Sequence, residues 1–256
     1  MLWNASHLTG YSIQGADGFV GTVNDFYFDD ERWTVRWVVV DIGKWLPGRR
    51  VLLSPVWLKA PSAPDRDFVT GLTREQVKNS PDVDTDKPVS RQHEARLYAH
   101  YGGEPYWAMA LGDPMLGAAG APLAPLVTAG SKPTGADTGA REEKRGDPHL
   151  RSLREVTGYA IQATDGEIGH IEDFLLDTEN WAIRYVVVDT RNWWPGKKTL
   201  VAPKWLSDMD WESREVRVGV TRDAIKQSPE YDPTKTVDRA YEARLHEHYG
   251  YPGNRL

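Results

Sequence analysis

The chain lacks cysteine and long apolar runs. Its 256 residues include no cysteine, so a disulfide framework, a thiolate metal site and thiol catalysis are excluded. No stretch approaches the roughly 18 uninterrupted apolar residues of a membrane span, and the first residues lack the charged-then-apolar layout of a signal peptide. We therefore expect a soluble, cytoplasmic protein without a membrane span.

An excess of positive charge is also missing. The formal net charge is −6 at pH 7, which repels a phosphate backbone at long range and argues against a nucleic-acid partner. The sequence has no glycine-rich phosphate loop, no Gly-x-Ser-x-Gly elbow and no His-Glu-x-x-His motif. We expect no enzymatic activity and no cofactor.

Histidines are few and poorly placed for a metal. Seven occur in the chain, and His246 and His248 are only two residues apart, whereas a helical metal pair uses a spacing of three or four. His93 and His100 share a helical face, but no acidic residue lies between them on it. We expect no metal site.

An internal duplication dominates the sequence. A shift of 148 positions aligns residues 9–102 with 157–250 without a gap, and almost half of the aligned positions are identical. The unit is too long for a solenoid repeat and has the size of a small domain. We predict a domain over residues 1–102 and a second over 151–256, each ending in helices. A flexible linker rich in Ala, Gly and Pro is predicted over 103–150.

Within each repeat the pattern favours strands, then helices. Asp-Gly pairs at 17–18 and 165–166 interrupt alternating segments and predict hairpins, and the Val-Val-Val runs predict well-covered strands. Threonine caps before "REQVK" and "RDAIK", and a final glycine after "YAHY" and "HEHY", delimit short helices. We predict five or six antiparallel strands per repeat that close into a small β-barrel, with the helices packed on it.

A set of positions carries a resemblance to a known family. In the first repeat these are Gly10, Asp17-Gly18, Gly21, Asp25-Phe26, Trp33, Arg36 and Asp41, and each recurs 148 positions later. With them, both repeats resemble the PRC-barrel domain, found in the cytoplasmic domain of the photosynthetic reaction centre H subunit and in a bacterial ribosome-maturation factor. The resemblance implies a small β-barrel used for assembly and partner contact, without a general catalytic triad. Unlike the H subunit, this sequence has no membrane helix before the first barrel.

Several recurring residues are expected to be structural. Asp17 favours turn geometry by bonding nearby backbone, and Asp41 is expected to pair with Arg36 or to cap the loop that follows. The full structural set is Asp17, Gly18, Arg36 and Asp41 with their counterparts Asp165, Gly166, Arg184 and Asp189.

Two loops combine tryptophan with adjacent cations and form the candidate contact surface. Flat apolar area beside positive charge is typical of protein interfaces and also suits the stacking of single-stranded bases. The plainer interpretation is a Pro-Gly turn with a tryptophan over the barrel end and solvated cations. The candidate residues are Trp45, Arg49 and Arg50 in the first repeat and Trp193, Trp194, Lys197 and Lys198 in the second.

The leading hypothesis is a non-catalytic scaffold or adaptor. Its partner would be a protein that the sequence does not identify, and the two barrels could also pair within the chain or in a homo-oligomer. By resemblance alone, a narrower alternative is a soluble accessory of the photosynthetic reaction centre. A third alternative, from another class, is a small-ligand or metal sensor, or an enzyme, with its site between the barrels.

Overall fold

The computed structural model describes residues 1–43, 48–81, 89, 91–105, 150–190 and 197–250. Across these residues the protein is mainly β, which confirms that part of the prediction. No helix in this part of the chain has the length and apolar character required to cross a membrane. Leu150, which we placed at the end of the linker, begins a strand; the linker residues 106–149 lie outside the described part.

The first repeat consists of six strands, three helices and a 3₁₀ turn in the described residues. The strands are β1 (Leu2–Asn4), β2 (Ser12–Gly15), β3 (Gly18–Asp29), β4 (Thr34–Asp41), β5 (Arg50–Leu53) and β6 (Asp67–Val69). The helices are α1 (Ala5–Leu8), α2 (Arg74–Lys78) and α3 (Arg91–Tyr101), and the 3₁₀ turn is Pro55–Trp57.

The second repeat follows the same order and adds one strand. Its strands are β7 (Leu150–Ser152), β8 (Ala160–Ala163), β9 (Gly166–Asp177), β10 (Ala182–Asp189), β11 (Lys198–Val201), β12 (Leu206–Asp210) and β13 (Glu215–Val218). Its helices are α4 (Leu153–Val156), α5 (Arg222–Gln227) and α6 (Arg239–His248), and Pro203–Trp205 forms the 3₁₀ turn.

The local signals in the sequence are confirmed. Gly18 and Gly166 adopt φ values of 116° and 128° at the start of β3 and β9, where glycine meets no Cβ penalty. Thr73 and Gln76 form a reciprocal capping box at the start of α2, and Thr221 caps α5. These residues act through their own φ angle or through side-chain bonds to backbone no more than three positions away, which is why the sequence predicts them well.

The thirteen strands of the described residues join one mixed sheet. Its order is β12-β13-β8-β9-β10-β4-β3-β2-β6, with β1 added to β9, β7 to β3, β5 to β4 and β11 to β10. The sheet is not closed, so the two separate barrels are not confirmed. The prediction of antiparallel strands throughout is wrong, because β2 pairs with β6 and β8 with β13 in parallel. The long path through the intervening strands and the 3₁₀ turn supplies the crossover that a parallel pair needs.

The two repeats share one hydrophobic core. β4 meets β10 at the Thr34–Ala182 pair, and the rings of Phe28 and Phe174 lie 6.2 Å apart. Buried residues from both repeats belong to a single contiguous cluster. The repeats therefore pack against each other within the chain, which is one of the arrangements that the sequence left open.

Candidate functional site

The tips of the two basic-aromatic loops lie outside the described residues. Residues 44–47 and 191–196 are among those not described, so the predicted contact role of Trp45, Trp193 and Trp194 falls on them. The four cations that follow the tips are described. Their contacts show how the loops are attached to the sheet.

The first cation of each pair is directed towards the end of a short helix. The Arg49 guanidinium donates to the Ser80 carbonyl at 2.8 Å. Its counterpart Lys197 donates to the Ser228 carbonyl at 2.8 Å and also to the carbonyl of Lys226. Carbonyls at a helix C-terminus carry partial negative charge and bind cations favourably. These two cations thus fix the bases of the loops to the segments that follow α2 and α5.

The second cation of each pair begins a strand. Arg50 lies opposite Asp41 in the β4–β5 pair, and Lys198 lies opposite Asp189 in the β10–β11 pair. The Lys198 ammonium bonds the Glu172 carboxylate at 2.6 Å. In the second repeat, both cations of the loop therefore have hydrogen-bond or ion-pair partners on the protein.

The structural set occupies turns, caps and an ion pair. Asp17 accepts the backbone N–H of Arg74 at 2.8 Å, and Asp165 accepts that of Arg222 at the same distance. Each aspartate thus ties its hairpin turn to the first turn of the following helix.

The structure distinguishes between the two roles expected for Asp41, an ion pair with Arg36 and a cap of the loop that follows. Its Oδ1 accepts the backbone N–H of Gly43 at 2.7 Å, so Asp41 caps the loop that follows. Arg36 bonds Asp29 at 3.0 Å instead. Asp189, the counterpart of Asp41, is fully buried.

The recurring histidine has a structural contact in each repeat. The Nε2 atom of His100 lies 2.7 Å from the carbonyl of Gln76, and that of His248 lies 2.6 Å from the carbonyl of Ala224. Because a carbonyl only accepts, Nε2 carries the proton in both rings. The described residues contain no group of three His, Cys, Asp or Glu residues placed to hold a metal.

One partly buried polar cluster differs between the repeats. In the second repeat the Tyr185 hydroxyl donates to Glu242 at 2.9 Å and lies 3.2 Å from Nε2 of His246. Burial raises the pKa of Tyr185, and burial together with the nearby Lys204 lowers the pKa of His246. Tyrosine and imidazole are therefore both neutral near pH 7, which suits a fixed hydrogen-bond network.

The first repeat builds the equivalent cluster from other groups. Trp37 takes the position of Tyr185 and donates its indole N–H to Glu94 at 2.5 Å. Tyr98 takes the position of His246, with its ring 5.1 Å from that of Trp37. The glutamate is thus common to both repeats, while its donors are not. Sequence reasoning missed this site because the glutamate belongs to the repeated "EARL" segment, which we interpreted only as a helix.

A cleft of about 480 Å³ lies at the junction between the repeats. Trp33 and Trp211 form its aromatic walls. Arg151 also lines the cleft, and its guanidinium lies 4.1 Å from the centre of the Trp211 ring and 3.2 Å from the Asp30 carboxylate. The lining is completed by Asp30, Glu31, Pro203, Leu206, Ser207, Asp208 and Met209. Its lining thus combines aromatic and aliphatic side chains with three acidic groups.

Comparison with known proteins adds no assignment. No protein-family model matches the chain, and the curated proteins contain no significant match to it.

Proposed function

We propose that the protein is a non-catalytic scaffold or adaptor that contacts a protein partner through its two basic-aromatic loops. Each repeat is proposed to be a PRC-type unit, on the sequence resemblance given above. The observation that carries the proposal is the paired construction of the loop bases: Arg49 and Lys197, at equivalent positions, attach both loops to the body by equivalent bonds. The shared core then holds two related loops on one body.

Attachment of this kind favours binding. A loop whose base is already ordered loses less conformational entropy when a partner binds, so more of the contact energy is retained as affinity. Tryptophan is the side chain that most often dominates interface energetics. Trp45, Trp193 and Trp194 are therefore the residues expected to contribute most to partner affinity.

The test is recovery of a partner from the native cells by a full-length tagged chain after cross-linking. We expect one protein to be enriched by the wild type and lost, by about tenfold or more, when the three loop tryptophans become alanine. The matched control is V56A/V69A, which removes exposed apolar side chains elsewhere (76 % and 40 % exposed). Equal recovery by the tryptophan variant, or its unfolding by circular dichroism, would remove the loops from the proposal.

The cleft favours a second candidate, a small-ligand sensor with its site between the repeats. Its volume is within the range of ligand sites. A ligand that binds only the folded state raises the melting temperature. A panel of metabolites should therefore contain one that stabilises the wild type and fails to stabilise W211A, while a flat response across the panel would reject this candidate.

A further inference from the structure

The two repeats exchange their first strands. β1 of the first repeat pairs with β9 of the second through Leu2–Asp177, Trp3–Leu176 and Asn4–Leu175. In return, β7 of the second repeat pairs with β3 of the first through Leu150–Asp29, Arg151–Phe28 and Ser152–Tyr27. We call each exchanged strand with its helix an arm: residues 2–8 (β1 and α1) and residues 150–156 (β7 and α4). Each repeat thus extends its part of the shared sheet with the arm of the other repeat.

A buried aspartate of the accepting repeat binds the incoming arm. Asp173 accepts from the Ser6 backbone N–H at 3.1 Å, the Ser6 hydroxyl at 2.5 Å and the Asn4 amide at 2.9 Å. At the equivalent position, Asp25 accepts from the Ser152 hydroxyl at 2.5 Å and the Arg154 backbone N–H at 3.3 Å. Both carboxylates therefore cap the first turn of a helix from the other repeat.

Each aspartate is oriented by its own strand. The Asp25 carboxylate also accepts the N–H of Phe26 at 2.8 Å, and the Asp173 carboxylate accepts that of Phe174 at 2.8 Å. Asp25 and Asp173 are 4 % and 7 % exposed, respectively. A buried carboxylate needs hydrogen-bond donors, and loss of the arm would leave each aspartate with the backbone N–H of its own strand but without the donors that the arm supplies. The carboxylate thus selects for an occupant with donors at the start of a helix.

The rest of the junction repeats the same reciprocity. The Val35 N–H donates to the Trp181 carbonyl at 2.8 Å, and the Ile183 N–H donates to the Trp33 carbonyl at 2.7 Å. These two bonds are equivalent, because Ile183 lies 148 positions after Val35 and Trp181 lies 148 positions after Trp33. An interface in which each side offers the other the same groups is the signature of an isologous contact between two copies.

We propose that this junction is a recognition surface that binds a repeat of the same kind, whether or not the two repeats belong to one chain. The accepting site is the edge of β3 or β9 with its aspartate. The ligand is an arm, a three-residue strand followed by a helical turn with hydroxyl or amide donors at its start. The connection through residues 106–149 raises the local concentration of the arms, and the specificity lies in the arms themselves.

The proposal is tested on the full chain cut between its repeats. A protease site inserted between Gly130 and Ser131 allows the purified protein to be cut without removing either repeat. We expect the two fragments to remain together as a one-to-one complex in size-exclusion chromatography and native mass spectrometry. Mixing cut wild type with an isotope-labelled cut sample should give mixed complexes, because each fragment recognises its partner type in trans.

Variants locate the recognition in the arms. D25A/D173A removes both cross-repeat caps and should raise the dissociation constant of the fragments by about tenfold or more. The matched control is D17A/D165A, which removes helix caps of the same chemistry that act within one repeat. If D25A/D173A does not fold, D25N/D173N, which keeps the shape and one acceptor oxygen, replaces it.

Two results would overturn the proposal. The first is separation of the cut wild-type fragments at micromolar concentration while each keeps its far-ultraviolet dichroism. The second is a dissociation constant that D25A/D173A, or its amide version, moves no more than D17A/D165A does.

Discussion

The two arms lie in equivalent strand pairings but in different side-chain surroundings. Trp3 of the first arm packs edge-on against Tyr11, with ring centres 6.3 Å apart. Arg151, at the equivalent position of the second arm, stacks on Trp211 and pairs with Asp30. The position of Trp211 is Ala63 in the first repeat. The backbone pairing is thus the same on both sides, while the side chains differ, and the cleft described above lies at the second arm.

The largest expected change in the free energy of unfolding concerns the core at the junction, to which the two repeats contribute equivalent residues. Phe26 and Phe174 are equivalent, fully buried and directed at the junction, where Phe26 meets Trp181 and Phe174 meets Phe28. F26A and F174A should each lower the free energy of unfolding by about 3–5 kcal/mol. Urea denaturation followed by tryptophan fluorescence measures both. A difference of more than about 2 kcal/mol between the two variants would show that the two sides of the core are not equivalent.

The next largest change in stability concerns the position at which the two arms differ, occupied by Trp3 in the first arm and Arg151 in the second. W3A removes a large half-buried ring and should cost about 2 kcal/mol, whereas R151A removes one stacked cation and one partly exposed ion pair and should cost about 1 kcal/mol. The same denaturation experiment ranks them. An R151A variant that loses more than W3A would mean that the cleft wall, rather than the Trp3 contact, stabilises its arm.

A smaller effect separates the polar clusters by pH. His246 faces Tyr185, Glu242, Lys204 and Arg184 in the folded protein. Burial lowers the pKa of its imidazole there. The imidazole therefore binds a proton more readily in the unfolded chain than in the folded protein. As a result, its contribution to the free energy of unfolding decreases as the pH falls from about 6.5, the pKa of an unperturbed histidine, towards the lower pKa of the folded state. H246Q should reduce that acid-side loss, seen in melting temperatures between pH 7.5 and 5. An unchanged pH profile would assign the loss to other groups.

The smallest effect concerns an exposed ion pair of the second repeat. Arg217 and Asp208 lie 3.2 Å apart with both side chains more than half exposed, and their counterparts are Val69 and Ala60. D208A should change the free energy of unfolding by less than about 0.5 kcal/mol, because water screens the pair. A loss above 1 kcal/mol, measured by urea denaturation at low and high salt, would show that the pair fixes β12 in place.

Local features were predictable, and contacts between the repeats were not. Gly18, Thr73 and Gly102 act through their own or neighbouring backbone, so their roles follow from a few adjacent residues, whereas the partner of Asp17 is the N–H of Arg74, 57 positions away. Asp25 was visible as a recurring charge inside a strand, which is unusual enough to mark a site. Its partners Ser152 and Arg154 lie more than 120 positions away, and no periodicity links them. The polar clusters around Glu94 and Glu242 were missed for the same reason.

The duplication, the mainly β character, the hairpin turns and the helix ends all follow from the order of the residues. The shared sheet, the two parallel strand pairs and the crossing of the arms between the repeats depend on contacts between distant segments. These distant contacts matter because the crossing segments are short. A strand of three residues such as Leu2–Asn4 gains too few bonds to form alone, so its place depends on which distant edge and which buried aspartate can complete it.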